Sequence, residues 1–169
     1  MNMSKEMSAT DRLRTAMNDW MPKFVAFGLF LYLLSYVMSI GMNFSPSLPD
    51  KIYFINKLNK ELQKGKLVTF HYYGEVYPHG TEFTKYVLGV PGDVVSVQDR
   101  TFFINGQPVG TAKKVSLLDE PLEMNNFRGV IPEGKFWYGT QHPDSFDSRY
   151  QLSGLGDIQD IVGRTYPLF

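Results

Sequence analysis

One serine and one lysine of this 169-residue chain stand in surroundings that could support nucleophilic chemistry. Ser47 lies in the segment 44–49, FSPSLP, directly after an uncharged apolar run. Lys85 opens the segment 85–93, KYVLGVPGD, and has apolar and aromatic neighbours. A serine hydroxyl becomes an effective nucleophile only when a base accepts its proton. The two residues therefore offer one candidate nucleophile and one candidate base.

A lysine can act as a base only if its amine is largely neutral. At an ordinary pKa near 10.4, roughly one amine in 2,500 is neutral at pH 7. Burial among apolar side chains could lower that pKa to about 8, where roughly a tenth of the amines are neutral. The apolar neighbours of Lys85 favour such burial. The competing interpretation is an ordinary exposed lysine on a strand.

Histidine is the more usual base for a serine, held in turn by a carboxylate. The candidates are His71 in a predicted strand, His79 in a loop rich in proline and glycine, and His142 beside acidic residues. A histidine triad could be assembled from these residues. No motif in the sequence supports it.

Composition excludes several classes of function. Formal net charge is zero, with 17 basic and 17 acidic residues, so the charge balance does not favour a nucleic-acid partner. The chain contains no cysteine, which excludes disulfides, thiolate zinc sites and cysteine nucleophiles. Neither a metal nor an organic cofactor is indicated. The length suits one domain of about 120 to 130 residues and an apolar anchor.

Residues 24–42 carry no charged side chain and would span about 28 Å as a helix, close to the roughly 30 Å core of a bilayer. They predict one transmembrane helix, preceded by a short interfacial helix over residues 11–20. A cleaved signal peptide is the alternative, because residues 39–41 resemble a small-residue cleavage site. Basic residues precede the span, so we expect segment 1–23 in the cytoplasm and domain 43–169 outside.

Short runs of β-branched and aromatic residues follow the span. They predict strands at residues 52–55, 67–73, 83–88, 94–97, 101–104 and 136–139. Asn105 and Gly106 predict a hairpin turn, because both residues tolerate positive φ. Residues 56–64 predict a short helix that ends at Gly65, and residues 113–128 receive no assignment. The predicted fold class is a mostly antiparallel β domain.

Three segments in this order resemble the signal peptidase I superfamily: FSPSLP after a membrane span, KYVLGVPGD, and PDSFDSRY at residues 143–150. The resemblance covers residues 20–169. It is greatest to the TraF-type branch, the conjugative-transfer peptidases that mature pilin subunits, and the segment 161–167, IVGRTYP, is similar to that branch's ending. The chain departs from the branch at Asp50 and Lys51, where a basic residue and a glycine are common, and lacks its frequent cysteine pair.

The resemblance implies a serine–lysine dyad, with Ser47 as nucleophile and Lys85 as general base. It implies a second set of residues that support the dyad. These are Ser45 as an oxyanion donor beside the Ser47 N–H, Ser145 as the hydroxyl that orients the lysine, and Asp147 with Arg149 as a bracing ion pair. The alternative for the last three is that they only hold a loop.

The function that the resemblance implies is that of a single-pass endopeptidase of the inner membrane with its catalytic domain on the periplasmic side. Its expected partners are the membrane and a membrane-tethered precursor protein. The resemblance implies that this precursor is a conjugative pilin, and some members of the branch are associated with joining the new pilin ends into a ring. A housekeeping signal peptidase I and a non-catalytic scaffold of a secretion or conjugation apparatus are the alternatives. A self-cleaving repressor is a weaker third, because such proteins lack a membrane anchor.

Overall fold

The structure is a computed structural model that describes residues 8–169. It begins with one continuous helix, α1 (Ala9–Val37), in place of the two helices that the sequence predicted. This helix is long and apolar enough to cross a membrane. Its 29 residues extend about 44 Å, more than the roughly 30 Å core of a bilayer. Residues 1–7 of the predicted cytoplasmic segment lie outside the described residues.

The predicted end of the membrane helix at residue 42 is wrong. α1 ends at Val37, and the next five residues form strand β1 (Met38–Met42). β1 pairs in antiparallel fashion with β2 (Ile52–Asn56) along its whole length. Apolar composition does not separate the end of an apolar helix from a short apolar strand. The backbone hydrogen bonds to β2 decide the conformation here.

Residues 38–169, all of which the structure describes, form eleven strands in two sheets. One sheet has the order β1-β2-β11-β3-β4-β9-β10 and the other the order β7-β6-β5-β8. All neighbouring strands are antiparallel, which confirms the predicted fold class. After β1 and β2 the strands are β3 (Leu67–Tyr72), β4 (Thr81–Gly89), β5 (Val94–Gln98), β6 (Thr101–Ile104), β7 (Gln107–Thr111), β8 (Gly129–Val130), β9 (Lys135–Gly139), β10 (Gly156–Asp157) and β11 (Ile161–Pro167).

Six strands agree with the sequence prediction, namely β2 to β6 and β9. The predicted hairpin is also present, because Asn105 and Gly106 join β6 to β7 with φ values of 50° and 78°. The Asn105 side chain accepts the N–H of Val94 at 2.8 Å, which links this turn to β5. The sequence did not predict β1, β8, β10 or β11.

The predicted helix over residues 56–64 is wrong: β2 ends at Asn56, a turn follows at residues 57–58, and residues 59–63 have no regular structure. The side-chain oxygen of Asn56 accepts the N–H of Leu58 at 3.0 Å, and that of Asn59 accepts the N–H of Glu61 at 3.0 Å. Asparagine side chains that bond an N–H two residues ahead stabilise turns and compete with helical hydrogen bonds. Local side-chain chemistry therefore overrides the helical composition.

Buried side chains join the two sheets. Phe102 of β6 packs against Trp137 of β9 with ring centroids 5.0 Å apart, and neither side chain is exposed. A second cluster, around Phe70 of β3, lies along the larger sheet. Because side chains alternate across a strand, Lys85 and Val87 of β4 both point to the buried face. The fold thus directs a lysine into the interior.

Gly163 of β11 should be intolerant of any side chain. A Cβ at this position would lie 2.2 Å from the backbone oxygen of Asn56 and 2.9 Å from the Cα of Lys57, neither of which is a flexible side-chain end. We expect Gly163→Ala to destabilise the domain by about 2 kcal/mol or more, measured as the urea midpoint of the detergent-solubilised chain.

Gly41→Ala is the matched control, because its Cβ would meet the end of the Ile55 side chain at 3.2 Å and that side chain can move. An equal loss of stability in both variants would contradict the backbone origin of the effect.

Candidate active site

The loop between β1 and β2 carries Ser45 and Ser47. Their hydroxyl oxygens lie 2.7 Å apart, within hydrogen-bond distance. Leu48, the next residue, is buried and packs in a small cluster with Tyr53 and Leu67. Ser47 is therefore held at the rim of the domain by the residue that follows it.

Lys85 extends from β4 to this loop. Its Nζ lies 3.3 Å from the Ser47 hydroxyl oxygen and 2.9 Å from that of Ser145. The residue is 7% exposed, and Nζ stands 5.9 Å from the centre of the Phe83 ring. The prediction that apolar neighbours bury this lysine is confirmed.

Burial lowers the pKa of Lys85 from its ordinary value of 10.5 to about 8, while the charge of Asp147 acts to raise it and that of Arg149 to lower it. At a pKa of about 8, roughly a tenth of the amines are neutral at pH 7. The shift corresponds to about 3 kcal/mol of unfavourable burial of the charged form. This amine can accept a proton from a neighbour at moderate pH.

Asp147 and Arg149 form a buried ion pair behind Ser145. Arg149 donates from Nε and Nη2 to the two carboxylate oxygens of Asp147 at 2.8 and 2.9 Å. Its Nη2 also lies 3.0 and 3.2 Å from the backbone oxygens of His142 and Ser145. The pair thereby fixes the backbone that presents the Ser145 hydroxyl to Lys85.

The structure brings together all six residues that the sequence proposed as a site. Hydrogen bonds connect Ser45 to Ser47, Ser47 to Lys85 and Lys85 to Ser145. The Asp147–Arg149 ion pair is connected to these residues through the bond from Arg149 to the backbone oxygen of Ser145. The chemical roles of these residues remain predictions.

The histidines make other contacts. His71 faces Glu82 with 3.7 Å between its Nε2 and the Glu82 Oε1, and the His79 ring packs on Tyr73. His142 accepts a backbone N–H at Nδ1. The Ser47 hydroxyl instead contacts another hydroxyl and the lysine amine. The geometry therefore favours the lysine over a histidine as its base.

Cavities flank Ser47 on the surface of the domain. One, of about 530 Å³, contains Ser47 and Lys85 in its wall together with the aromatic rings of Tyr77, Phe83 and Phe146. Another, of about 710 Å³, is lined by Ser47, by Tyr86 of β4 and by residues 140–143. Both volumes lie in the usual range for ligand sites. Both cavities have Pro46 and Ser47 in their linings, so they meet at this loop.

Among residues 8–169, no three His, Asp or Glu side chains are grouped to hold a metal ion. The Ser47 hydroxyl contacts one hydroxyl and one amine, and a carboxamide in turn contacts that hydroxyl. This set suits proton transfer and the binding of a carbonyl oxygen.

Sequence reasoning missed the carboxamide, which belongs to Asn43. Its side-chain oxygen accepts from the N–H and the hydroxyl of Ser45 at 3.0 and 2.8 Å. The available signal was an asparagine two residues before a serine in a predicted loop, a spacing typical of turns in which the side chain caps the backbone. The residue adjoins the group of six without belonging to any segment that carried the resemblance.

Comparison with known families gives one match over most of the chain. The family described as Signal peptidase, peptidase S26 matches residues 17–169. A solved structure of a signal peptidase I from Enterococcus faecalis is 25% identical, covers 63% of this chain and 97% of that chain, and aligns with a TM-score of 0.43.

Two further relatives are each 30% identical to this chain. Conjugal transfer protein TraF of Agrobacterium fabrum is 30% identical over 148 residues, which are 76% of this chain and 81% of the relative. Signal peptidase I T of Bacillus subtilis is 30% identical over 142 residues, which are 76% of this chain and 70% of the relative. The chain is thus similar to a conjugation protein and to a signal peptidase at the same level of identity.

The buried lysine should destabilise the domain in a manner that depends on pH. Its folded pKa of about 8 lies below its ordinary 10.5, so the unfolded chain binds the proton more tightly. The destabilisation is complete below pH 8 and disappears as the pH rises from about 8 to 10.5. We expect Lys85→Met to raise the free energy of unfolding at pH 7 by about 2 kcal/mol, and the gain to shrink over that range.

Urea unfolding at a series of pH values measures this difference. Lys66→Met is the control, because Lys66 is exposed and its removal should give no such pH-dependent gain. A Lys85→Met variant that is less stable than the wild type at pH 7 would contradict the prediction.

Proposed function

The chain belongs to the signal peptidase family, peptidase S26, whose members are serine endopeptidases, and we propose that Ser47 and Lys85 are its catalytic dyad. The observation that carries the proposal is the 3.3 Å approach of the Lys85 amine to the Ser47 hydroxyl oxygen. The lowered pKa of that buried amine gives it the chemistry of a base.

The reaction begins when the neutral amine of Lys85 accepts the Ser47 proton as the Ser47 oxygen attacks the carbonyl carbon of the scissile peptide bond. The oxyanion that forms is stabilised by the Ser47 N–H and the Ser45 hydroxyl. Each such donor typically contributes about 3 kcal/mol to the transition state. Lys85 then gives its proton to the leaving amine as the C–N bond breaks, which leaves an ester on Ser47.

The second half of the reaction releases the acyl group. Lys85 accepts a proton from a water molecule, the water oxygen attacks the ester carbonyl, and the proton returns to Ser47. An amine from the substrate itself could attack in place of water, which would form a new peptide bond and join two ends of a chain. Both routes use the same groups.

Ser145, Asp147 and Arg149 act in this proposal as positioning residues. The Ser145 hydroxyl accepts from Lys85 at 2.9 Å and turns the amine toward the serine loop. The buried ion pair supports the backbone of Ser145 through Arg149. Removing one partner of a buried pair usually costs about 3 to 5 kcal/mol, because an uncompensated charge remains.

The helix α1 fits a single-pass membrane anchor. The basic residues Arg12, Arg14 and Lys23 precede or begin its most apolar part, and the positive-inside tendency assigns that side to the cytoplasm. We therefore infer that the anchor lies in the inner membrane and that the peptidase domain faces the periplasm. Substrates would then be precursors tethered to the same membrane.

The proposed substrate is a conjugative pilin precursor. It rests on the similarity to the conjugal transfer protein TraF and on the resemblance of the serine and PDSFDSRY segments. A housekeeping signal peptidase with a broad substrate range is the second candidate, because Signal peptidase I T has the same 30% identity to this chain as TraF has. The two differ in substrate range and share their chemistry.

Mass spectrometry of a co-expressed pilin precursor tests the dyad. Wild type should shorten the precursor, whereas Ser47→Ala and Lys85→Ala should each lower the rate by at least about 1,000-fold, because each removes a group that every step requires. A product lighter than the linear fragment by one water would identify ring closure.

The matched controls are Ser96→Ala and Lys66→Ala, which remove an exposed serine and an exposed lysine outside the site and should retain activity. Cleavage by the Ser47 and Lys85 variants at the wild-type rate would exclude the dyad and favour the scaffold hypothesis. Cleavage of many unrelated exported precursors by the wild type would favour the housekeeping peptidase.

The pH dependence of kcat/KM provides a separate test of the base. Only the neutral amine of Lys85 accepts a proton, so kcat/KM should rise with pH and reach half its maximum near pH 8. The variant His142→Ala should keep this profile. A half-maximum near pH 6.5 that disappears in a histidine variant would assign the base to histidine instead.

A further inference from the structure

Asn43 lies at the start of the serine loop and its carboxamide bonds to both ends of that loop. Its backbone N–H also donates to the carbonyl of Lys51 at 2.8 Å, which ties the two ends of the loop together. The carboxamide makes five contacts: the oxygen accepts from the N–H and hydroxyl of Ser45 at 3.0 and 2.8 Å, and the nitrogen donates to the carbonyls of Ser45, Leu48 and Asp50 at 2.9, 3.2 and 3.2 Å.

These partners determine which way the carboxamide faces. The Ser45 backbone N–H is a donor only, so the atom of Asn43 beside it must be the oxygen. The carbonyls of Leu48 and Asp50 are acceptors only, so the atom beside them must be the nitrogen. A flipped carboxamide would oppose donor to donor and acceptor to acceptor.

The orientation of the carboxamide then sets the direction of the Ser45 hydroxyl hydrogen. The Ser45 hydroxyl must donate to the Asn43 oxygen, which has no hydrogen to give. Because the only hydroxyl hydrogen of Ser45 is used in that bond, the Ser45 oxygen can only accept a hydrogen from the Ser47 hydroxyl. While the Lys85 amine carries its proton and donates to the Ser47 oxygen, the Ser47 hydrogen therefore points to Ser45. Once that amine is neutral, the Ser47 hydrogen turns to it, as the reaction proposed above requires.

We propose that Asn43 is a positioning residue that acts through Ser45: its carboxamide fixes the Ser45 hydroxyl beside Ser47 and aligns the Ser45 hydroxyl hydrogen in the resting site. The catalytic consequence rests on the function proposed above. In the transition state the negatively charged oxyanion is a stronger acceptor than the Asn43 amide, so the Ser45 hydrogen turns to it from a position already fixed.

A double-mutant cycle separates this role from a general structural one. Ser45→Ala should lower kcat/KM by about 100-fold, as loss of one oxyanion donor does. Asn43→Ala should lower it by about 10-fold or more. If Asn43 acts through Ser45, the double variant should be no worse than Ser45→Ala alone, because no hydroxyl remains to be positioned. Effects that multiply would overturn the proposal.

Asn59→Ala is the matched control for Asn43→Ala. Asn59 also accepts an N–H two residues ahead, at 3.0 Å, in a turn outside the lining of the cavity that holds Ser47 and Lys85. This variant should retain wild-type kcat/KM. The pH profile of Asn43→Ala should keep its half-maximum near pH 8, because Lys85 stays buried; a displaced profile would indicate that the variant disturbs the base and would count against the proposal.

Site-resolved hydrogen exchange tests the same contact without any substrate. The Ser45 amide should exchange faster in Asn43→Ala, because the oxygen that accepts its N–H is gone, and should be unchanged in Ser45→Ala, which keeps that bond. Equal exchange in wild type and Asn43→Ala would overturn the proposal. If Ser47→Ala cleaves like the wild type, the proposed dyad fails, and the exchange result alone decides whether Asn43 holds this loop.

Discussion

The burial of one amine, that of Lys85, is the constraint on which the rest of the site depends. An amine in water at neutral pH is almost always protonated and cannot accept a proton. β4 runs between β3 and β9 in the larger sheet, and its alternation directs Lys85 into the interior. The cost of about 3 kcal/mol is large beside the 5 to 15 kcal/mol that typical domains retain. The domain must offset it with its apolar core.

The segment 143–150 carries charged side chains close to Lys85, and their charges must balance for the amine to stay neutral. A lone buried carboxylate beside Lys85 would hold the amine in its protonated form, and Asp147 does act to raise its pKa. Arg149 balances that charge through two short contacts to the carboxylate. The pair therefore braces Ser145 through hydrogen bonds while adding no net charge beside the amine. Hydroxyls, which carry no charge, are the groups in direct contact with Lys85.

The candidate nucleophile, Ser47, is more accessible to solvent than the candidate base, Lys85. Ser45 is exposed and Ser47 is half-buried, on a loop that cavities flank. The Ser47 loop is open to solvent, whereas the Lys85 amine behind it is shielded from water. Loops vary in conformation more readily than strands, and here Asn43 and the buried side chain of Leu48 restrict that freedom. Access and fixed geometry are thus combined in one short segment.

Local patterns in the sequence were sufficient for the fold class, for six strands and for the Asn105 hairpin, because strand composition and turn chemistry are properties of neighbouring residues. The six candidate site residues were named from short motifs that resemble a known family, and the structure brings them together. The end of α1 and the strands β1 and β11 could not be predicted from local patterns, because they depend on which distant backbone offers hydrogen bonds, as β2 does to β1. The segment 56–64 was wrongly predicted as a helix because its helical composition concealed the turn-forming bonds of Asn56 and Asn59. Likewise, only the tertiary structure could bring the Ser47 loop, β4 and the 143–150 segment together, bury the Lys85 amine and turn the Asn43 carboxamide to Ser45, because burial and hydrogen-bond direction arise from residues far apart in the chain.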